Sequence, residues 1–363
     1  MIPVFLAPPS QRLSWRRLAA TARAGRPGDS RQGAGATLGR GVNMNMPSTA
    51  KNPKLSRLRL ALPATSANLG PAFDAAALAM DFYIKIDARP AVEFFISATG
   101  RDREICGALQ DHLILNTYRE VLDAAGRPLT PLSLKISNQI PIGKGCGSSA
   151  AARLAGIALA VHFGRLRWSD AQIIGEASRR EHHPDNASAC WMGGLTVARM
   201  SIVTGEAVEA QVVGIRPKGK WPLLLAVPEQ SLSTEAARRV LPAQYSRADA
   251  VTNVQNSMLL LAAFTQGRPD VFSAALEDRI HQPYRAPLCP LLPPLQELKG
   301  EDGILGAVLS GAGPSVLIFL DPHASLSKTR QRVAAHLSRR GLTAELLPTS
   351  ITLRGARASF SKY

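Results

Sequence analysis

A mixed fold, α/β or α+β, is predicted from residue 58 onward by two features of the chain. Short apolar or alternating runs of strand length recur, and longer runs with helical spacing interleave with them. No internal repeat of fixed period is present. Taken in order, residues 58–62 alternate as a strand, 83–87 and 92–98 read as further strands, and 112–125 carries helical spacing. Residues 132–136 alternate cleanly and lead through a glycine-rich turn into a small-residue helix over 148–163. Ser169 is the expected cap of a helix beginning at Asp170 and ending near Arg180, and 195–200 is a strand. The polar stretch containing Gly205, Pro217 and Gly219 is the natural place for a domain boundary. Beyond it, strands are expected at 223–227, 304–309, 316–320 and 344–347, and helices at 234–240, 248–264, 270–281 and 325–339.

The composition bounds the function. A chain of 363 residues with 45% hydrophobic residues is ample for two domains of ordinary size. No segment approaches the ~18–20 uninterrupted apolar residues of a membrane-spanning helix. Cys106, Cys146, Cys190 and Cys289 form no close pair, which argues against a disulfide framework and for a reducing, cytoplasmic setting. The net charge of +16 suggests a nucleic-acid partner, but its placement argues otherwise. Residues 1–58 hold ten Lys/Arg against the single acid Asp29, whereas the remainder holds 33 basic and 26 acidic residues. With few aromatic residues for base stacking and a core of nearly ordinary charge, neither a nucleic acid nor a membrane is expected as partner. Residues 1–55 are expected to be a disordered basic extension. Three origins stay open for it: a start codon placed upstream of Met44 or Met46, an organelle-targeting segment, or a functional basic arm.

The most specific chemistry lies in Pro141-Ile142-Gly143-Lys144-Gly145-Cys146-Gly147-Ser148-Ser149-Ala150. Three glycines at two-residue spacing allow a tight turn and close approach to a ligand, and the serines open a helix whose free amide groups face the same place. Such an end binds anions, phosphate above all. It is not the common P-loop, because Lys144 is followed by glycine rather than by Ser or Thr. Three further segments stand out. Leu62-Pro63-Ala64-Thr65-Ser66-Ala67-Asn68-Leu69-Gly70-Pro71-Ala72-Phe73-Asp74 is a strand ending in hydroxyl and amide side chains, then a turn with a carboxylate. Asn68 and Asp74 could serve a small polar substrate or could hydrogen-bond their own turn. His182-His183-Pro184-Asp185-Asn186 follows the glycine loop by about forty residues. A metal site of His182, His183 and Cys190 is a poor reading, since adjacent histidines point in different directions and no fourth ligand is evident. Ser310-Gly311-Ala312-Gly313-Pro314-Ser315 joins two apolar strands.

In order and spacing these segments resemble the signatures of the GHMP kinases, and within them the homoserine kinases. The resemblance covers nearly all of residues 58–363 and does not reach the basic tail. It departs from the pattern at Ala72, where the family usually has glycine, and at Ala187-Ser188-Ala189, where it has Val-Ala-Pro. The resemblance implies a two-domain α+β fold: an N-terminal ribosomal-protein-like ATP-binding domain over 56–210 and a ferredoxin-like domain over 211–363. It implies ATP and Mg²⁺ as cofactors, L-homoserine as substrate, and homodimerisation as a family-level expectation. Gly143, Gly145, Gly147 and the Ser148-Ser149 helix start would hold the phosphates, leaning on Gly311, Gly313 and Ser315. Asn68, Asp74, Asn186, Arg238 and Arg285 would orient homoserine and balance developing charge. Asn186 stands where related kinases carry a catalytic aspartate, and an amide cannot act as a general base, so the mechanism would rest on positioning and charge neutralisation. Arg239, next to Arg238, is expected to face away. For Mg²⁺, Ser149 and one carboxylate are implied, with Glu176 preferred and Glu181 second.

Overall fold

The computed structural model describes residues 57–200 and 210–360. The basic extension over 1–55 and Gly205, part of the candidate boundary, lie outside the described residues. The strands are β1 (Leu58–Asn68), β2 (Ala72–Pro90), β3 (Phe95–Gly100), β4 (Leu132–Asn138), β5 (Leu195–Met200), β6 (Ala210–Ile215), β7 (Pro222–Val227), β8 (Ile304–Leu309), β9 (Val316–Leu320) and β10 (Glu345–Ser350). They form a six-stranded sheet in the order β3-β4-β2-β5-β6, with β1 on β2, and a four-stranded sheet in the order β10-β7-β9-β8. All pairs are antiparallel except β3 with β4.

Local patterns account for most of these elements. In β4, Leu132, Leu134 and Ile136 alternate inward onto the core, as their period of two requires. In β7 both faces are buried: Leu223 and Leu225 join the large core with Phe264, Phe272 and Phe319, while Leu224 and Ala226 join a second core with Val333 and Leu337 of the helix Leu326–Ser338. A strand covered on both sides reads as a continuous apolar run. The helix Ser148–Phe163 is apolar nearly all round and buried accordingly. Ser169 caps the helix Asp170–Glu181 as expected, in a reciprocal box with Gln172, and the helix stops at His182, whose φ is +67°.

Three expectations are corrected and one helix is added. The strand read at 83–87 is the second half of a much longer one, because β1 and β2 form a hairpin running from Leu58↔Ala88 to Asn68↔Ala72. The strand read at 92–98 begins only at Phe95, since Val92 is 99% exposed and packs on nothing. Residues 270–281 are not one helix: a 3₁₀ turn Pro269–Val271 and a short helix Phe272–Ala275 end where the Asp278 carboxylate accepts the backbone N–H groups of Ile280, His281 and Gln282. The helix Asp185–Met192 was not legible as one, being short and preceded by Pro184.

The first sheet runs through the position 210/211, because β6 pairs with β5 along Leu195↔Ile215 to Met200↔Ala210. The end of the chain also returns to that sheet. Thr352 N donates to Ala79 O of β2 and Ala61 N of β1 to Ser359 Oγ, while Ala356 N donates to Cys190 O of the helix Asp185–Met192.

Candidate active site

The helix Ser148–Phe163 points its first turn into a cavity of about 760 Å³, a size that suits a small-molecule site. Gly143, Gly145 and Gly147 all have positive φ, at +70°, +77° and +68°. At Gly147, the residue before the helix, a side chain would run into Thr65 Oγ1 and approach Asn186 Oδ1 to 3.2 Å. The loop is fastened from three sides. Thr65 N donates to Cys146 O (3.1 Å), Ser310 Oγ donates to Gly145 O (2.8 Å), and Ser315 N donates to Lys144 O (3.4 Å). The serines of the helix start have no capping side chain before them, so the amide groups of this end face the cavity without an internal acceptor from the cap residue.

Not every loop residue reaches the cavity. Ile142, Gly143, Gly145, Cys146, Gly147, Ser148 and Ser149 line it, whereas Pro141 and Lys144 lie beside a neighbouring depression and Ala150 is buried. The Lys144 ammonium donates to Glu229 O, away from the glycine turn. Cys146 is buried and its thiol is pushed up to about 12 by burial, so it is a packing group rather than a nucleophile. Gly311 and Gly313 line the cavity; Ser315 lies behind them, fully buried, and its hydroxyl makes no hydrogen bond.

The polar end of the cavity brings together Asn68 and Asp74 from one turn with Asn186, Arg238 and Arg285 from three other segments. Asn68, Leu69, Gly70 and Asp74 all have positive φ, so the turn carrying the first two polar side chains is tightly wound. Asn68 holds that turn: its Oδ1 accepts Asp74 N (2.9 Å) and its Nδ2 donates to Gly311 O (2.8 Å). Half of its hydrogen-bonding capacity is therefore spent inside the protein. Asp74 receives both Nη groups of Arg238, at 3.0 and 2.7 Å, a bidentate pair. Burial pulls the Arg238 guanidinium down, but the Asp74 hydrogen bonds and charge outweigh it and hold its pKa above the ordinary arginine value. Arg285 is only 1% exposed and donates to Ala237 O (2.9 Å) and His281 Nδ1 (3.2 Å). Burial first, and the nearby Arg238 charge second, depress its pKa. Arg239 faces solvent and pairs only with Glu235 at 3.7 Å.

Of the two candidate metal carboxylates, Glu181 lines the cavity and Glu176, preferred from the sequence, does not. Glu181 accepts the Ser149 hydroxyl (2.8 Å) and is paired with Arg153. Glu176 is instead clamped by Arg179 and Arg180. Burial pushes its carboxyl up, but the two guanidinium groups outweigh that and hold it below the ordinary carboxylate range.

Several residues here carry more than the sequence reading assigned to them. Thr65 donates its hydroxyl to Asn186 Oδ1 (2.6 Å), fixing the amide's orientation. His183 Nδ1 lies 2.6 Å from Asp185 Oδ1, which also accepts Asn186 N (2.6 Å). Asp74, His183 and Asp185 offer ligand-type atoms within 4.8 Å of one another, although Asp74 and Asp185 already have partners. Burial lowers the His183 pKa, yet its bond to Asp185 and the charges of Asp185, Asp74 and Glu181 leave it raised overall. These residues lie inside the quoted segments; His183 and Asp185 are tied locally, and the partner of Thr65 lies 121 positions away.

Comparison with known proteins agrees with this geometry. The family description "GHMP kinases N terminal domain" matches residues 112–194 and "GHMP kinases C terminal" matches 260–339. The homoserine kinase of Solibacter usitatus is 44% identical over 268 residues, spanning 73% of this chain and 86% of that protein. The chain belongs to the homoserine kinase family. Another member, the homoserine kinase of Deinococcus radiodurans, is 33% identical over 300 residues, 83% of this chain and 96% of that one. The crystal structure of the homoserine kinase from Cytophaga hutchinsonii has the same fold, with a TM-score of 0.68 at 21% identity, covering 82% of this chain and 96% of its own. Within this family frame, the first matched segment contains the glycine loop and the His183–Asn186 turn, and the second contains Arg285 and the Gly311–Ser315 turn. Asn68, Asp74 and Arg238 fall outside both, and the fold brings them to the same cavity.

Proposed function

We propose that this protein transfers the γ-phosphoryl group of ATP to the hydroxyl of L-homoserine, giving O-phospho-L-homoserine for threonine synthesis. The observation that carries the reading is one cavity with two complementary ends. A helix start with free amide groups receives phosphate, and an Asp74–Arg238 pair beside Arg285 matches the ammonium and carboxylate of an amino acid. The Ser148 and Ser149 amides hold the phosphates and stabilise charge spread over their oxygens. Asp74 binds the substrate ammonium, Arg238 and Arg285 bind its carboxylate, and Asn186, oriented by Thr65, sits where the hydroxyl enters. No side chain is assigned as a general base; the rate derives from alignment and charge neutralisation.

The donors at the cavity wall fit Mg²⁺. The Ser149 hydroxyl and Glu181 carboxylate are hard oxygen ligands held 2.8 Å apart, which suits a cation that keeps most of its waters. When bound there, Mg²⁺ supplies charge neutralisation to the phosphates. Glu181→Gln is expected to raise the Mg²⁺ concentration for half-maximal activity by about tenfold or more, while Glu176→Gln leaves it within about twofold. A titration of initial rate against Mg²⁺ for both variants checks this, and equal shifts would remove the assignment.

The reading as a whole is tested by coupled ADP release with Mg-ATP, comparing L-homoserine with L-serine, L-threonine, mevalonate and galactose. A clear preference for homoserine is expected. Turnover of another alcohol alone would retain the phosphate loop and overturn the substrate.

A further inference from the structure

Arg285 poses a problem of charge. It is almost wholly buried and lies near a second guanidinium, Arg238; the charges of Asp74 and Asp278 act on it only from a distance, and Asp74 is paired with Arg238. Among the described residues no carboxylate lies within 4.0 Å of Arg285. Its acceptors are uncharged: Ala237 O, His281 Nδ1 and, at 3.5 Å, Gly311 O. A buried cation so poorly compensated needs another source of negative potential.

Phe73 supplies one. The guanidinium carbon of Arg285 lies 5.2 Å from the centre of the Phe73 ring, and that of Arg238 lies 5.4 Å from it. Both are within the range in which the negative face of an aromatic ring attracts a cation. The ring cannot drift. It stacks on His281 with centres 5.2 Å apart and planes at 28°, and His281 Nε2 binds Gly70 O (2.8 Å) in the same turn that carries Phe73. Burial depresses the His281 pKa, so the imidazole stays neutral, donates to Gly70 O and accepts from Arg285.

We propose that Phe73 is a positioning residue whose ring face holds Arg238 and Arg285 convergent as a two-guanidinium receptor for the carboxylate of the amino-acid substrate. This rests on the substrate reading given above. A ring within cation–π range of both guanidinium groups stabilises each without neutralising it; Arg238 keeps its Asp74 pair, and its remaining N–H groups and those of Arg285 are left for an incoming anion. An additional carboxylate in that place would neutralise the receptor.

The test replaces Phe73 in the full chain by Leu, by Trp, and by phenylalanines with one, two and three ring fluorines, which weaken the ring's negative face at nearly constant shape. Phe73→Leu is expected to raise KM for L-homoserine about tenfold, with kcat and KM for ATP within about twofold, and Phe73→Trp to restore most of the loss. KM for homoserine should climb stepwise with fluorination. A KM indifferent to fluorination, or equal changes in KM for ATP, would overturn the proposal. Order parameters of the arginine Nε–H groups, measured by NMR in the same series without substrate, give a second readout. If homoserine is not turned over by the wild type but the Arg238 and Arg285 order falls with fluorination, the platform stands and the substrate reading fails. If homoserine is turned over and neither KM nor order responds, the platform fails and the substrate reading stands.

Discussion

Gly145→Ala is expected to lower kcat/KM for ATP by about 100-fold or more and to depress the melting temperature by roughly 5–10 °C. Two costs combine. Gly145 has φ +77°, where any L side chain costs about 1–2 kcal/mol. A Cβ there also strikes the backbone carbonyls of Ser310 and Gly313, the latter at 2.7 Å, and neither is the end of a flexible side chain. Relief of that overlap, worth about 1–3 kcal/mol, comes only by moving the glycine loop off the Gly311–Ser315 turn. The Ser148 helix start is three residues further on, so its amides move with the loop. Gly143→Ala is the control. Its φ is +70°, but a Cβ there meets only Ser231 Oγ at 3.4 Å, an ordinary contact, so it carries the strain without the collision. Its activity loss should be at least tenfold smaller. Paired kinetics and thermal unfolding of the two variants decide the matter; equal losses would show that the loop does not depend on its seat against the second glycine turn.

Arg238→Ala is expected to raise KM for L-homoserine by about 30–100-fold, with KM for ATP within about threefold. Removing one partner of a partly buried, bidentate charge pair costs on the order of 2–5 kcal/mol at a binding site. The lower part of that range applies, because Arg238 and Asp74 remain 35% and 30% exposed and Asp74, once freed, binds the substrate ammonium better. Arg239→Ala should change neither constant by more than about twofold. Its side chain is 72% exposed and its contact with Glu235 is a surface ion pair, worth little. Steady-state kinetics of both variants with each substrate varied is the measurement. Equal losses from the two would remove the reason for placing Arg238 at the substrate.

The two arginines also show how much of the site was legible beforehand. Adjacent helical residues differ by about 100° in direction, so the two could not share one, and the family resemblance favoured Arg238. Glu176 and Glu181 pose the same question five residues apart, about 140° around the helix, which places them on different faces without saying which face meets the cavity. There the family resemblance favoured Glu176, and it is Glu181 that lines the cavity. The answer depends on Arg179 and Arg180, which neutralise Glu176, and on Ser149, which reaches Glu181 from another helix. Asn68 is a similar case. Its type suits a substrate contact or a turn brace, and the fold spends half of its capacity on bracing.

What the sequence by itself determined is whatever contiguous residues encode: the strand-to-helix glycine loop, the Ser169 cap, the inward period of β4, and the family. What only the tertiary structure decided is pairing across the chain. Asp74 meets Arg238 164 positions away, Thr65 meets Asn186 121 positions away, and Phe73 lies beneath two arginines from later segments. The physical reason is range. Turn chemistry, caps and periodicity act over a few residues, where spacing fixes geometry. The direction of a polar side chain in a cavity is set by which distant partner the packing brings within about 3 Å, and no local pattern records that distance.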